Sequence, residues 1–194
     1  MSATRYPPFR PGTELAMCFT GTLTERHGDR VERIPVPSRL ADWFIANGLD
    51  VVACSEADLD RARELREAVH VCGTAAARGE PLPPEAREVI NMASINGSAS
   101  ALLTTEGGLG WQLGPGGPVA GALGVVALSA IGIISGARDG RLALCASPTC
   151  RAAFFDTSRS RTRKWCDMNT CGNREKKARF LANRRSAGGS SRDT

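Results

Sequence analysis

Residues 145–171 read CASPTCRAAFFDTSRSRTRKWCDMNTC, a C-x4-C-x15-C-x4-C array formed by Cys145, Cys150, Cys166 and Cys171. Two close pairs separated by a short excursion let four thiolates converge on one tetrahedral ion, the arrangement that holds structural zinc. Four thiolates leave no position open for water, so a site of this kind is structural and not catalytic. An iron–sulfur cluster also accepts thiolate-only ligands and ranks second. Four incidental buried cysteines are the bland alternative. The spacing of four within each pair is wider than in a C-x2-C knuckle, and Pro148 and Gly172 suit the larger turns. A module of about 45 residues hardly builds its own core, and a metal compensates for that. Phe154, Phe155 and Trp165 lie between the cysteine pairs and are candidates for a mini-core.

Charge divides around the array. Residues 1–137 hold 11 Lys/Arg against 15 Asp/Glu, a balance of −4, whereas residues 138–194 hold 14 against 5, a balance of +9. Opposite signs suggest two modules with different partners. The basic one suits a polyanion, of which nucleic acid is the common case. A solvated basic tail is the alternative. From Gly172 to Arg185 a helix is expected, on which Arg174, Lys177, Arg184 and Arg185 share one broad face with Leu181 among them. The candidate nucleic-acid contacts are Arg161, Arg163, Lys164, Arg174, Lys176, Lys177 and Arg184. The physics supports phosphate binding and not base readout.

Upstream, residues 1–13 are Pro-rich and expected to be loose. Glu14–Thr22 reads as a strand that pairs with Arg30–Val36 through a His27-Gly28-Asp29 turn. Helices are expected from Ser38 to Asn47, from the capping box at Ser55 to Arg78, and from Glu85 to Asn96. Ser100–Leu113 reads as a hairpin turning at Gly107-Gly108. Val119–Ala137 is uncharged and long enough to suggest a membrane span. Its four glycines favour a buried core helix instead. Arg141–Leu144 reads as a short strand, and the tail 186–194, small and polar, as disordered. The start lacks the apolar region of a signal peptide. The expectation is a cytoplasmic protein, in which clustered cysteines bind metal more often than they form disulfides.

Arg163–Lys176, RKWCDMNTCGNREK, resembles the signature of the bacterial CGNR zinc-finger family. Cys145–Cys150 resembles that family's first knuckle, and Phe154-Phe155-Asp156-Thr157-Ser158-Arg159 resembles its phenylalanine–aspartate–serine–arginine stretch. Residues from about 14 to 140 are similar to the associated ABATE domain. The resemblance implies an α+β fold: a mixed helix/sheet domain over 14–140, then a small four-cysteine zinc-binding module over 141–185 with a C-terminal basic helix. It also implies a role among stress-related transcription regulators. The family's first strand runs close to Leu-Asp-Phe-x-Asn-Thr, whereas this chain has Cys18 and Gly21 in place of the acid and the amide. If those groups recognise a ligand in relatives, this chain binds a different one or none.

The leading expectation is a DNA-binding regulator with one structural zinc, whose N-terminal domain senses a small molecule or mediates assembly. The second is a protein-interaction module with a purely structural zinc. An enzyme is disfavoured, because no G-x-S-x-G, P-loop, Rossmann or H-E-x-x-H pattern occurs. His27 and His70 stand alone, and Cys18, Cys54 and Cys72 read as core thiols.

Overall fold

Ser55 opens the longest helix of the chain. Its hydroxyl accepts from the Asp58 amide while its own amide donates to the Asp58 carboxylate, so two otherwise orphaned N–H groups are satisfied reciprocally. The helix ends at Gly79, whose φ of 68° is a left-handed cap that glycine adopts without strain. Leu59, Ala62, Leu65, Val69 and Cys72 are buried along its apolar stripe, and the rest of the molecule packs around it.

The computed structural model describes residues 6–12 and 14–188. In chain order its elements are α1 (Leu15–Thr20), β1 (Leu23–Thr24), β2 (Val31–Glu32), α2 (Pro37–Ala46), α3 (Glu56–Arg78), α4 (Pro84–Asn96), β3 (Ala99–Leu103), β4 (Leu109–Leu113), α5 (Pro118–Ile134), β5 (Arg141–Leu144), β6 (Ala153–Asp156), a π-helical turn (Met168–Gly172) and α6 (Asn173–Gly188). The described strands form three antiparallel pairs, β1–β2, β3–β4 and β5–β6. The fold is α+β: a mixed helix/sheet domain, then a small cysteine-rich module and a C-terminal helix.

Helices α3, α4 and α5 pack on one another and set the core. The α4–α5 approach depends on two glycines. A Cβ at Gly97 would lie 2.4 Å from the Gly124 Cα, and one at Gly124 would lie 2.6 Å from the Gly97 Cα. The uncharged segment is α5, buried as expected along most of its length. No helix among the described residues is long and apolar enough to cross a membrane. Trp43 and Phe44 of α2 close the core against Phe19, with the Phe19 and Trp43 rings 5.0 Å apart.

Three expectations need correction. Residues 14–22 are not a strand: Leu15–Thr20 is helix α1, with the Cys18 amide donating to the Glu14 carbonyl. Ala16 and Phe19 are its fully buried residues, a spacing of three that belongs to a helix. The run is too short for periodicity to separate the two states. The Ala16 amide also donates to Ser129 Oγ on α5, a tertiary contact that fixes the first turn. Strand pairing therefore shifts to Leu23–Thr24 against Val31–Glu32, joined by a turn in which Glu25 and Arg30 take positive φ of 53° and 49°. The tail expectation fails over Ser186–Gly188, which continue α6; residues 189–194 lie outside the described residues.

The expectation of a loose N-terminus falls partly on residues 1–5 and 13, which lie outside the described residues. Residues 6–12 carry no helix or strand, yet they are held. Arg33 and Arg39 donate to the Pro8 and Pro7 carbonyls, and the Arg39 guanidinium lies 3.7 Å from the centre of the Phe9 ring.

Candidate metal centre and basic helix

Alternation along β6 divides its two phenylalanines. Successive strand side chains point to opposite faces, so Phe155 enters the main core with Leu142, while Phe154 packs on Cys145, Cys150 and Cys171 together with Trp165. The mini-core expected from Phe154, Phe155 and Trp165 is thus correct for two of the three. Phe155 instead joins the cysteine module to the α-helical core.

Each cysteine pair sits in a turn built by its neighbours. Cys145 follows β5 and donates its amide to Ala152; the Cys150 and Arg151 amides both donate to the Ser147 carbonyl. At the second pair, the Asp167 carboxylate accepts from the Asn169 amide and the Thr170 hydroxyl, which caps the π-helical turn. Gly172 closes that turn against Trp165 and Met168, where a Cβ would lie 2.5 Å from the Met168 sulfur. The four Sγ atoms lie within 4.8 Å of one another, with Cys150–Cys166 and Cys166–Cys171 each at 3.6 Å. A tetrahedral ion with 2.3 Å bonds to sulfur separates its ligands by about 3.8 Å. The residues fit a metal ion: four thiols converge, three of them are buried, and none is in a disulfide.

Two carboxylates with no obvious role in the sequence support this centre. Asp156 is fully buried at the end of β6. It accepts from the Ser158 amide and hydroxyl on one oxygen and from the Arg163 amide on the other. Burial opposes its ionisation, but these donors outweigh it and hold its pKa below the ordinary value. The Asp-x-Ser spacing, a side-chain turn signature, was the available signal.

Glu25, 7% exposed, is the second. It lies in the β1–β2 turn and accepts from the Arg174 guanidinium through both oxygens and from Thr149 Oγ1, while Arg174 also donates to Thr149. The His27 amide donates to the Thr149 carbonyl beside it. The Arg174 hydrogen bonds, against the opposing effect of burial, lower the Glu25 pKa, and the same bonds raise that of Arg174. No sequence signal links residues 149 positions apart.

The expected nucleic-acid residues therefore fall into two sets. Arg174 is paired with Glu25, Arg161 with Asp139, and Arg163 donates to the Cys166 carbonyl with its guanidinium 5.3 Å from the Phe154 ring. Lys164, Lys176, Lys177 and Arg184 are exposed and carry no ion pair among the described residues. Arg179 belongs with them on α6. Of the lone histidines, His70 is half-buried, and desolvation pushes its pKa down to about 4.

Cys18 and Gly21, the positions that depart from the family pattern, line a cavity of about 410 Å³ between α1 and the cysteine module. Arg10, Arg163 and Cys166 also line it.

Residues 13–137 match the ABATE family, described as "Putative stress-induced transcription regulator", and residues 141–184 match the CGNR zinc finger. No curated protein matches the chain. The two matches meet just before β5, where the cysteine module begins, and the first spans more than half of the sequence. The chain belongs to the ABATE family, with a CGNR zinc-finger domain as its C-terminal part.

Proposed function

We propose that the protein is a DNA-binding transcription regulator carrying one structural zinc on Cys145, Cys150, Cys166 and Cys171. The observation that supports this most is α6, which leaves the second cysteine turn with Lys176, Lys177, Arg179 and Arg184 exposed and without acidic partners among the described residues. Zinc bound to four thiolates supplies cross-linking and no reactive position. It ties Lys164, just before the third ligand, to the helix that follows the fourth. Arg161, Arg163 and Arg174 then act by orienting this surface, since their guanidinium groups are already engaged. Phosphates are the chemistry such a surface recognises.

The sensing part of the reading rests on the cavity at Cys18 and Gly21, because a small molecule there would touch both α1 and the module that bears the basic helix. The alternative, an interaction module for an acidic protein, uses the same exposed cations.

Binding of the zinc-loaded full chain to labelled duplexes of several sequences, followed by anisotropy over a salt series, tests the proposal. Lys177→Ala and Arg184→Ala should each weaken binding similarly on every sequence and lower the salt slope by about one. If the double variant keeps its zinc and its DNA affinity, the regulator reading fails and the interaction-module reading replaces it.

A further inference from the structure

Helix α6 carries two large apolar side chains that no described residue covers. Phe180 is 60% exposed and Leu181 44%. Residues three and four apart are neighbours on a helix, so Lys177 lies one turn before this pair and Arg184 one turn after it. The Arg184 guanidinium rests 5.8 Å from the centre of the Phe180 ring. The result is a short apolar ridge bracketed by two cations. Phosphates reward the cations and offer nothing to Phe180 and Leu181.

The N-terminal domain holds the converse shape. Between α3, α4 and the start of α5 runs a groove of about 500 Å³ whose floor includes Leu65, Val89 and the half-exposed Met92. Glu64, Glu85 and Glu88 stand on its rim, and none has an ion pair or hydrogen bond among the described residues. The one cation in the lining, Arg61, is held by Asp58. The groove has room for two large apolar side chains and not for a whole helix, so a helix would lie across its mouth and insert a ridge.

We propose that α6 of one copy of this chain docks its Phe180–Leu181 ridge into the α3–α4–α5 groove of a second copy, with Lys177 and Arg184 against the rim carboxylates. The match is two-sided: apolar ridge to apolar floor, bracketing cations to unpaired acids. The wider charge agrees, since residues 1–137 balance at −4 and residues 138–194 at +9. Reciprocal exchange of the two helices closes the assembly as a two-fold dimer and leaves no open end. Duplex DNA and the groove compete for Lys177 and Arg184, but the docking stands on its own observations whether or not DNA is the partner.

Sedimentation velocity of the zinc-loaded full chain over roughly a hundredfold range of concentration should show a reversible dimer. The pairs Phe180→Ser with Leu181→Ser, and Glu64→Lys with Glu88→Lys, should each weaken it at least tenfold. Combining Glu64→Lys and Glu88→Lys with Lys177→Glu and Arg184→Glu should restore association. Zinc content and circular dichroism confirm that each variant folds. A monomer at every concentration, or a dimer indifferent to both pairs, overturns the proposal. So does a chain that stays monomeric while a lysine-rich amphipathic peptide fills the groove. Duplex affinity measured in parallel separates the two readings: its absence beside an intact, groove-dependent dimer rejects the DNA reading alone.

Discussion

Glu25 shows how far a single residue can escape a reading of the sequence. In the chain it is one acid in a turn, TERHG, with nothing to distinguish it from Asp29. In the fold it is buried, takes a left-handed φ, and holds Arg174 and Thr149 at once. Arg174, by contrast, reads from sequence as one more cation of a basic helix. Its spacing from Cys171 was legible, and its partner was not. Removing Glu25 leaves the Arg174 guanidinium, 42% exposed, with Thr149 and water as partners, so the cost is that of the lost charged hydrogen bonds, about 1 kcal/mol. Glu25→Ala should accordingly lower unfolding stability in urea by about that amount. It should also release the start of α6, read as faster amide exchange over the first turns, while the metal content stays unchanged. Exchange that stays unchanged in this variant would mean that Arg174 is held by the cysteine turn alone.

At the scale of elements, the signals that survived were local and chemical. The Ser55–Asp58 capping box, the glycine stop at Gly79 and the Gly107-Gly108 turn each name their own geometry, and α3 and the β3–β4 hairpin lie where they say. Helix α1 was misread because six residues of mixed apolar and small side chains carry no decisive period, and its state is set by Ser129 and Trp43 far along the chain. The capping box makes a pH prediction. Burial opposes ionisation of Asp58, but the Ser55 hydroxyl and amide and the Arg61 guanidinium prevail and hold its pKa below the ordinary 3.8. A carboxyl with a depressed folded-state pKa stabilises fully above its unfolded value and loses that contribution as pH falls through the folded one. Asp58→Asn should therefore cost about 0.5 kcal/mol at pH 7, and the gap to the parent should close as the pH drops below 3.8. Thermal unfolding of both chains across pH 2.5–7, about the span of the titration, measures it. A gap independent of pH would mean the carboxylate charge contributes nothing to the cap.

For the whole molecule, the four cysteines were legible as a metal set because spacing alone brings thiols together, and the charge asymmetry separated two modules in sequence. What spacing could not show is that the modules share a core. Phe155 and Leu142 of the cysteine module pack into the core beside α1 and α3, and the Glu25–Arg174–Thr149 contact spans the same boundary. Chelation of the metal should thus reach beyond the module. Four thiolates no longer cross-linked release the two turns and α6, and the β5–β6 hairpin loses one of its two supports. Full burial of a phenylalanine is worth about 2–3 kcal/mol, so partial release of Phe155 should lower the melting temperature of the N-terminal domain by several degrees, about 5 °C for a unit of its size. Tryptophan fluorescence separates the two events, because Trp43 reports on the N-terminal core and Trp165 on the cysteine cluster. With Trp111 replaced by Phe, a chelator should change the Trp165 signal at room temperature while Trp43 stays native until the earlier melt. A Trp43 transition at the same temperature with and without metal would show that the N-terminal domain holds Phe155, or does without it, independently of the cysteine centre.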